Sequence, residues 1–110
     1  MKENLPEPLE RLKVLANPGA DHPRLLLAFK ALFRENDQIP GGTAGAIIIE
    51  RQTGGLVGGK SHEQKGKERR RQLEIIKEKE EHKLSVRDKS NLENVLEDLD
   101  YALNLHLSKS

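Results

Sequence analysis

The fold class depends on one stretch of the chain, residues 44–51, which read AGAIIIER. Its three consecutive isoleucines are β-branched, and β-branched residues are enriched in strands. Residues 53–55 (TGG) then read as a hairpin turn, and residues 56–57 (LV) as a short return strand. The sequence therefore predicts one small antiparallel β-hairpin near the middle of the chain.

Helical spacing of apolar residues flanks this hairpin on both sides. It predicts helices over residues 4–16, from residue 23 to about 34, from 61 to about 82, and from 85 onward. The last helix has the clearest apolar stripe: Leu92, Val95, Leu96, Leu99 and Leu103. Because a lone hairpin is marginal in water, we expect helices to cover it. The expected fold is α+β, mostly helical, with about four helices and the hairpin.

Three sites carry the residue types that begin helices. They are Asp21 before Pro23, Ser61 three residues before Gln64, and Ser85 three residues before Asp88. Residues 1–38 are expected to form an N-terminal helical segment. Residues 39–107 are expected to hold the hairpin and two helices, within a single compact domain.

Composition limits the class of protein. The chain has 110 residues, no cysteine, 34% charged residues and a mean hydropathy of -0.72. Disulfides and thiolate zinc sites are thereby excluded. The longest apolar runs, residues 25–29 and 46–49, are too short to span a bilayer, and the N-terminus lacks an apolar signal-peptide core. We expect a protein that works in water inside a cell.

Charge is distributed unevenly along the chain, although the net charge is only +1. Residues 60–71 hold six cations and two anions, whereas residues 88–100 hold five anions and one cation. A basic segment of this kind can attract phosphate. It could instead be a solvated helix face or pair with the acidic final helix.

Residues 54–61, GGLVGGKS, match the phosphate-loop pattern G-x-x-x-x-G-K-S. We reject a phosphate loop, because a phosphate loop leaves its strand directly, whereas Arg51, Gln52 and Thr53 intervene before this motif, and no later segment reads as a second strand. The glycines are more simply explained by a turn. A nucleotide-binding module remains the weakest alternative function.

His62 is the candidate for proton transfer. It falls on the first turn of the third predicted helix, with Lys60 and Lys65 nearby. A histidine can move a proton near neutral pH, and lysines can neutralise charge on a phosphate in the transition state. Spacing alone nevertheless favours an exposed histidine on a basic face. The four histidines are scattered without a metal-ligand spacing, so we expect no metal or other cofactor, which favours RNA over DNA as a nuclease substrate.

A family resemblance adds to this interpretation. Its motifs are IPGGTAGAI (39–47), ERQTG (50–54), LVGGKSH (56–62) and QKG (64–66), followed by parts of residues 84–103. Over about residues 39–105, the chain resembles the C-terminal toxin domains of bacterial polymorphic toxins. These domains form the tips of contact-dependent growth inhibition and Rhs-type effectors, and the tRNA-cleaving members are the most similar group.

The resemblance implies a metal-independent ribonuclease toxin domain that cleaves tRNA in the cytoplasm of a target bacterium. It implies delivery as the tail of a larger secreted or surface protein, and neutralisation by a cognate immunity protein. Some relatives also use a translation elongation factor, and no membrane partner is implied. By position, the implied catalytic residues are Thr43, Lys60, His62 and Lys65.

The expected RNA-binding residues are Ser61, Lys67, Arg69, Arg70 and Arg51. Consecutive arginines point to different sides of a helix, so they cannot all face one ligand. The main alternative is a non-catalytic helical interaction module. Its leucine stripe would bind a partner, and its basic helix would bind nucleic acid or an acidic protein.

Overall fold

The computed structural model describes residues 7–33, 40–55 and 61–105. The helices are α1 (Glu7–Glu10), α2 (Pro23–Leu32), α3 (Gly42–Thr53), α4 (Glu63–Glu80) and α5 (Val86–Leu103), with a 3₁₀ turn at Glu81–Lys83. No strand occurs in these three segments. The prediction of an α+β fold with a β-hairpin is therefore wrong, and the described part of the chain is helical.

The predicted first strand is α3. Residues 43–48 are all buried in it, so the N-terminal half of this helix is surrounded by protein on every side, whereas Gln52 and Thr53 at its end are exposed. A β-branched residue costs a helix no more than about 0.7 kcal/mol relative to alanine. Burying an isoleucine contributes about 1.5–3 kcal/mol, and Ile47 and Ile48 are 1% and 0% exposed. Burial therefore outweighs the strand preference of the isoleucines.

Glycines mark both ends of α3. Gly41 precedes the helix with φ 85°, and Gly54 follows it with φ 76°, both in the left-handed region that favours glycine. The N–H of Gly54 donates to the carbonyl of Glu50 at 2.8 Å, which closes the helix. The predicted hairpin turn is thus the C-terminal cap of a helix. The predicted return strand, residues 56–57, lies outside the described residues.

The helices pack around one hydrophobic core. α5 contacts α3 and α4, and α2 contacts α4. The core includes Phe29 of α2, Ile47 of α3 and Leu73 of α4, each 1% exposed or less. α3 and α4 approach closely at Gly66, where an added Cβ would lie 2.6 Å from Cδ1 of Ile47. This contact holds the two helices that carry the candidate site.

The N-terminal segment is less helical than predicted. Within the described residues α1 covers only Glu7–Glu10, although a helix was expected over residues 4–16. The backbone N–H groups of Lys13 and Val14 donate to the Asp98 carboxylate of α5 instead of continuing a helix. The Asp88 carboxylate of α5 accepts the N–H groups of Asp21 and His22.

The helix-start predictions had mixed outcomes. Ser85 caps α5 as predicted, and its Oγ accepts the N–H of Asp88 at 3.0 Å. Asp21 and Ser61 are not the caps of α2 and α4, since His22 and His62 occupy those positions. The stripe of the final helix is confirmed: Leu92, Val95, Leu96 and Leu99 are buried, and Leu103 packs against the core.

Candidate functional site

His62 forms a close pair with Glu50. Glu50 lies in the last turn of α3, and His62 is the N-cap residue of α4. Nδ1 of the imidazole lies 2.7 Å from Oε2 of Glu50, and the backbone N–H of His62 donates to Oε1 at 3.1 Å. The side chains are 23% exposed for His62 and 10% for Glu50. One carboxylate therefore fixes both the backbone and the ring of His62.

This pairing determines which ring nitrogen is available for chemistry. An ionised carboxylate only accepts hydrogen bonds, so Nδ1 carries a hydrogen and donates it to Glu50. In the neutral imidazole, Nε2 then keeps a lone pair and can accept a proton. Within the described residues Nε2 has no hydrogen-bond partner. The same carboxylate–imidazole relationship orients the base in hydrolases that use a histidine.

A cluster of charges adjoins the pair. Oε2 of Glu63 lies 3.6 Å from Nη2 of Arg51 and 3.3 Å from Nζ of Lys67. Nη1 of Arg51 also donates to the carbonyl of Leu105, just after α5, at 3.4 Å. Nε of Arg51 is buried and has no partner in the described part of the chain. Two predicted RNA-binding cations, Arg51 and Lys67, thus meet at Glu63, the residue that follows His62, and this one carboxylate holds both.

A second histidine–carboxylate pair shows the contrast. Nδ1 of His22 accepts the N–H of Arg24 at 3.2 Å, so Nε2 carries the hydrogen and donates to Glu80 at 3.2 Å. This hydrogen bond is the main cause that lowers the pKa of Glu80. Both ring nitrogens of His22 are engaged, which suits a role in joining α2 to α4. His62 keeps one nitrogen available.

The structure separates Thr43 from His62. Thr43 is 4% exposed, and its hydroxyl donates to the carbonyl of Leu32 at 3.2 Å, at the C-terminus of α2. It precedes Glu50 by two turns of α3, about 10 Å along the helix axis. Thr43, one of the implied catalytic residues, instead forms a buried contact between helices.

The other predicted residues near His62 have different environments. Ser61 is exposed, and its Oγ accepts the N–H of Glu63 at 3.4 Å. Lys65 is partly buried in the first turn of α4. Lys60 lies outside the described residues, so its place relative to His62 stays a prediction.

The basic run of α4 pairs largely within the protein. Arg70 contacts Asp100 of α5 and lies 3.0 Å from Glu74, and the hydrogen bond to Asp100 is the main cause that raises the pKa of Arg70. Nη1 of Arg69 donates to Gln72 at 2.8 Å. Pairing with the acidic final helix, one of the interpretations of this run, applies to Arg70. A phosphate would have to displace two carboxylates to reach it.

Sequence reasoning missed Glu50, the residue that completes the candidate site. Glu50 precedes His62 by 12 positions, a spacing that no motif links to acid–base chemistry. One signal was present: Glu50 is the only acidic residue between Asp37 and Glu63. The predicted strand gave no reason to place Glu50 near His62. The helical form of α3 places this carboxylate at the start of α4.

No group of three or more His, Asp or Glu side chains among the described residues could hold a metal ion. None of the helices there is both long and apolar enough to cross a membrane.

Comparison of the chain with models of known protein families, with curated proteins and with solved structures found no match. The resemblance to toxin domains therefore stays a prediction.

Proposed function

We propose that this chain is a ribonuclease toxin domain in which His62 transfers the proton and no metal ion is required. The observation that carries the proposal is the contact between Glu50 and Nδ1 of His62, which leaves Nε2 as a base. The RNA substrate, with tRNA as the expected target, comes from the family resemblance. The neighbouring Arg51 and Lys67 support the same chemistry, because cations stabilise charge on a phosphate.

The proposed reaction uses the 2′-hydroxyl of RNA as the nucleophile. Nε2 of His62 takes the 2′-OH proton while O2′ forms a bond to phosphorus. The bond from phosphorus to O5′ breaks, and the imidazolium returns the proton to O5′. The products are a 2′,3′-cyclic phosphate and a 5′-hydroxyl. Arg51 and Lys67, with the predicted Lys60 and Lys65, would stabilise the negative phosphate oxygens of the transition state.

The biological setting proposed here also rests on the resemblance. The domain would act in the cytoplasm of a target bacterium after delivery as the tail of a larger protein. A cognate immunity protein would neutralise it, and a translation elongation factor is a further proposed partner. Growth arrest on induction in a host without the immunity protein, with tRNA cut in those cells, is the expected result.

Cleavage of purified tRNA by the chain, with and without EDTA, tests the enzymatic proposal. We expect cleavage in both conditions, and a loss of about 10²-fold or more in His62→Gln, the usual range for removing a general base. His82→Gln is the matched control, because His82 is an exposed histidine in the 3₁₀ turn. A 2′-deoxy substitution at the cut site should abolish cleavage. Equal activity of the two variants would refute the role of His62.

Glu50 is assigned as a positioning residue. In Glu50→Gln the carboxamide keeps one acceptor oxygen but loses the charge that stabilises the imidazolium. We expect a fall in kcat of about tenfold or more, because Glu50 acts through His62. A merely structural role would lower the folded fraction without changing the pH profile of kcat. We expect that profile to shift, and an unchanged profile would remove the assignment.

The alternative is a non-catalytic helical interaction module. One observation favours it: three of the predicted RNA-binding cations are already paired within the protein. Arg51 and Lys67 contact Glu63, and Arg70 contacts Asp100 of α5. The same tRNA assay decides between the two functions. An intact chain that binds RNA or protein and leaves tRNA uncut, with and without added divalent metal and elongation factor, supports the module.

A further inference from the structure

A groove between α2 and α4 lies away from the candidate site. Its volume is about 400 Å³, and Leu27 of α2 and Ile75 of α4 line it. Along α4 its lining begins at Glu68, six positions or about 9 Å after His62, and its apolar residue Ile75 lies 13 positions or about 20 Å after His62. The nuclease proposal does not use this groove.

The groove presents apolar side chains to solvent. Leu27 is 66% exposed and Ile75 is 40% exposed, and they come from two different helices. In the described residues just two other large apolar side chains are similarly exposed, Leu15 and Val86, and neither lines the groove. Adjacent apolar side chains in a concave surface mark an interaction site more strongly than scattered ones.

Two arginines that form no ion pair with a described residue border the apolar centre. Arg24 and Arg71 are exposed, line the groove and form no ion pair with any described residue. By contrast, Lys67, Arg70 and Lys77 of α4 each contact a carboxylate. Arg24 lies close enough to Glu80 to help lower the pKa of that carboxyl, but the oxygen that Glu80 uses contacts His22 and Lys83.

One anion also lines the groove. Glu68 accepts a hydrogen bond from Gln64 at 3.2 Å, so its charge is retained at the edge. The groove thus has two cations, one anion and an apolar centre. An occupant needs apolar side chains, carboxylates that reach Arg24 and Arg71, and no carboxylate beside Glu68.

We infer that this groove binds an acidic amphipathic helix of a partner protein. Apolar side chains of that helix pack on Leu27 and Ile75, and carboxylates beside them pair with Arg24 and Arg71. Docking of one apolar helix face into a groove between helices is a recurrent mode of recognition. The complementary charges fix its orientation and exclude basic helices.

Other occupants fit this groove less well. Single-stranded RNA binds by stacking bases on aromatic side chains, and none of the described residues that line the groove is aromatic. A second copy of the chain, related by twofold symmetry, would place the same patch against itself. Two arginines and one glutamate on each side would then leave like charges unpaired.

Binding of a designed peptide to the isotopically labelled full chain tests the inference by NMR. The probe is an alanine-based helical peptide with leucines along one face and glutamates beside them, and its match carries lysines instead of glutamates. We expect saturable shifts at the amides of Leu27 and Ile75. Affinity for the lysine peptide should be about tenfold weaker or more, because like charges oppose it.

Variants of the chain locate the binding. Leu27→Ser and Arg71→Glu should each weaken binding of the acidic peptide by about tenfold, and Glu68→Gln should tighten it. Val86→Ser is the matched control, since Val86 is 85% exposed and outside the groove. The inference would be overturned if both peptides bound with equal affinity, or if Leu27→Ser had no effect. It would also be overturned if no saturable shift occurred in the groove, or if a single-stranded RNA oligonucleotide bound there more tightly than the acidic peptide.

Discussion

The carboxylate of Asp98 accepts the backbone N–H of Val14 at 2.9 Å, across 84 positions of sequence. It also accepts the N–H of Lys13, at 2.9 and 3.0 Å to its two oxygens. Asp98 is 5% exposed and Val14 is 9% exposed, so the bond to Val14 is buried, whereas the bonds to Lys13 are partly buried. A buried aspartate in the middle of α5 therefore holds the N-terminal segment on the core.

Replacing Asp98 tests how much this anchor stabilises the fold. In Asp98→Asn an amide NH₂ replaces one acceptor oxygen and faces a buried N–H. An unsatisfied buried donor costs about 1–3 kcal/mol, and we expect the free energy of unfolding to fall by about 2 kcal/mol. Urea denaturation measures it. Glu97→Gln is the control, since Glu97 is exposed and its ion pair among the described residues is with exposed Lys13, so the change in stability should be less than about 0.5 kcal/mol. Equal effects of both variants would contradict the anchor.

The sequence predicted the elements whose signal is local. The stripe of Leu92, Val95 and Leu96 has the period of a half-buried helix, and Ser85 caps the helix it precedes. α3 could not be predicted in this way, because residues 43–48 are buried on every side of the helix and therefore show no polar face and no helical period. Its isoleucines then favoured a strand, and the burial that reverses this preference depends on α4 and α5.

Contacts distant in sequence were also beyond prediction. Nothing near Asp98 indicates that it binds the backbone of Val14, and nothing near His62 indicates Glu50. The chemistry of His62 was proposed from its residue type and its place at a helix start. In the structure His62 is the N-cap residue of α4. Its partner depends on the register of α3 against α4.

That register depends on Gly66. A Cβ there would lie 2.6 Å from Cδ1 of Ile47, which is 1% exposed and has little room to move. Alanine gains up to about 1 kcal/mol over glycine inside a helix, whereas overpacking a core costs about 1–3 kcal/mol. We therefore expect Gly66→Ala to destabilise the protein.

A double-mutant cycle isolates this contact. Ile47→Val removes Cδ1, so Gly66→Ala should become stabilising in that background, with a coupling energy of about 1 kcal/mol or more. Chemical denaturation of the four proteins gives the coupling directly. Additive effects of the two substitutions would show that Gly66 does not set the approach of α3 to α4.

Glu80 gives the protein a defined acid dependence. Its pKa lies below the ordinary value of 4.5, chiefly because of the hydrogen bond from His22. A carboxyl with a lowered pKa in the folded state stabilises the protein above its ordinary pKa, and this stabilisation is lost as pH falls through the folded value. The difference in unfolding free energy between wild type and Glu80→Gln should therefore shrink as pH falls below about 4.5.

The comparison with Asp98 provides the internal control. Burial raises the pKa of Asp98, so the part of its contribution that depends on protonation has the opposite sign and is lost as pH rises through the folded value, whereas the hydrogen bonds to Lys13 and Val14 remain. The difference between wild type and Asp98→Asn should therefore shrink as pH rises over the acid range. Denaturation between about pH 3 and pH 7 measures both differences. The same trend for the two variants would contradict a lowered pKa of Glu80 together with a raised pKa of Asp98.

The Glu63 carboxylate limits the binding of a phosphate to Arg51 and Lys67. Its carboxylate contacts both Arg51 and Lys67, so an RNA phosphate must compete with it. In Glu63→Gln the two cations lose this charge, and we expect RNA affinity to rise about tenfold at low salt. The salt dependence should steepen as well, because each cation that newly meets a phosphate releases bound counterions. Fluorescence anisotropy with a labelled tRNA, repeated over a salt series, measures both quantities.

Glu74→Gln is the matched control on the same helix: it frees part of Arg70, whose contact with Asp100 remains. Tighter binding in that variant but not in Glu63→Gln would place the RNA on the middle of α4 instead of at the His62 end.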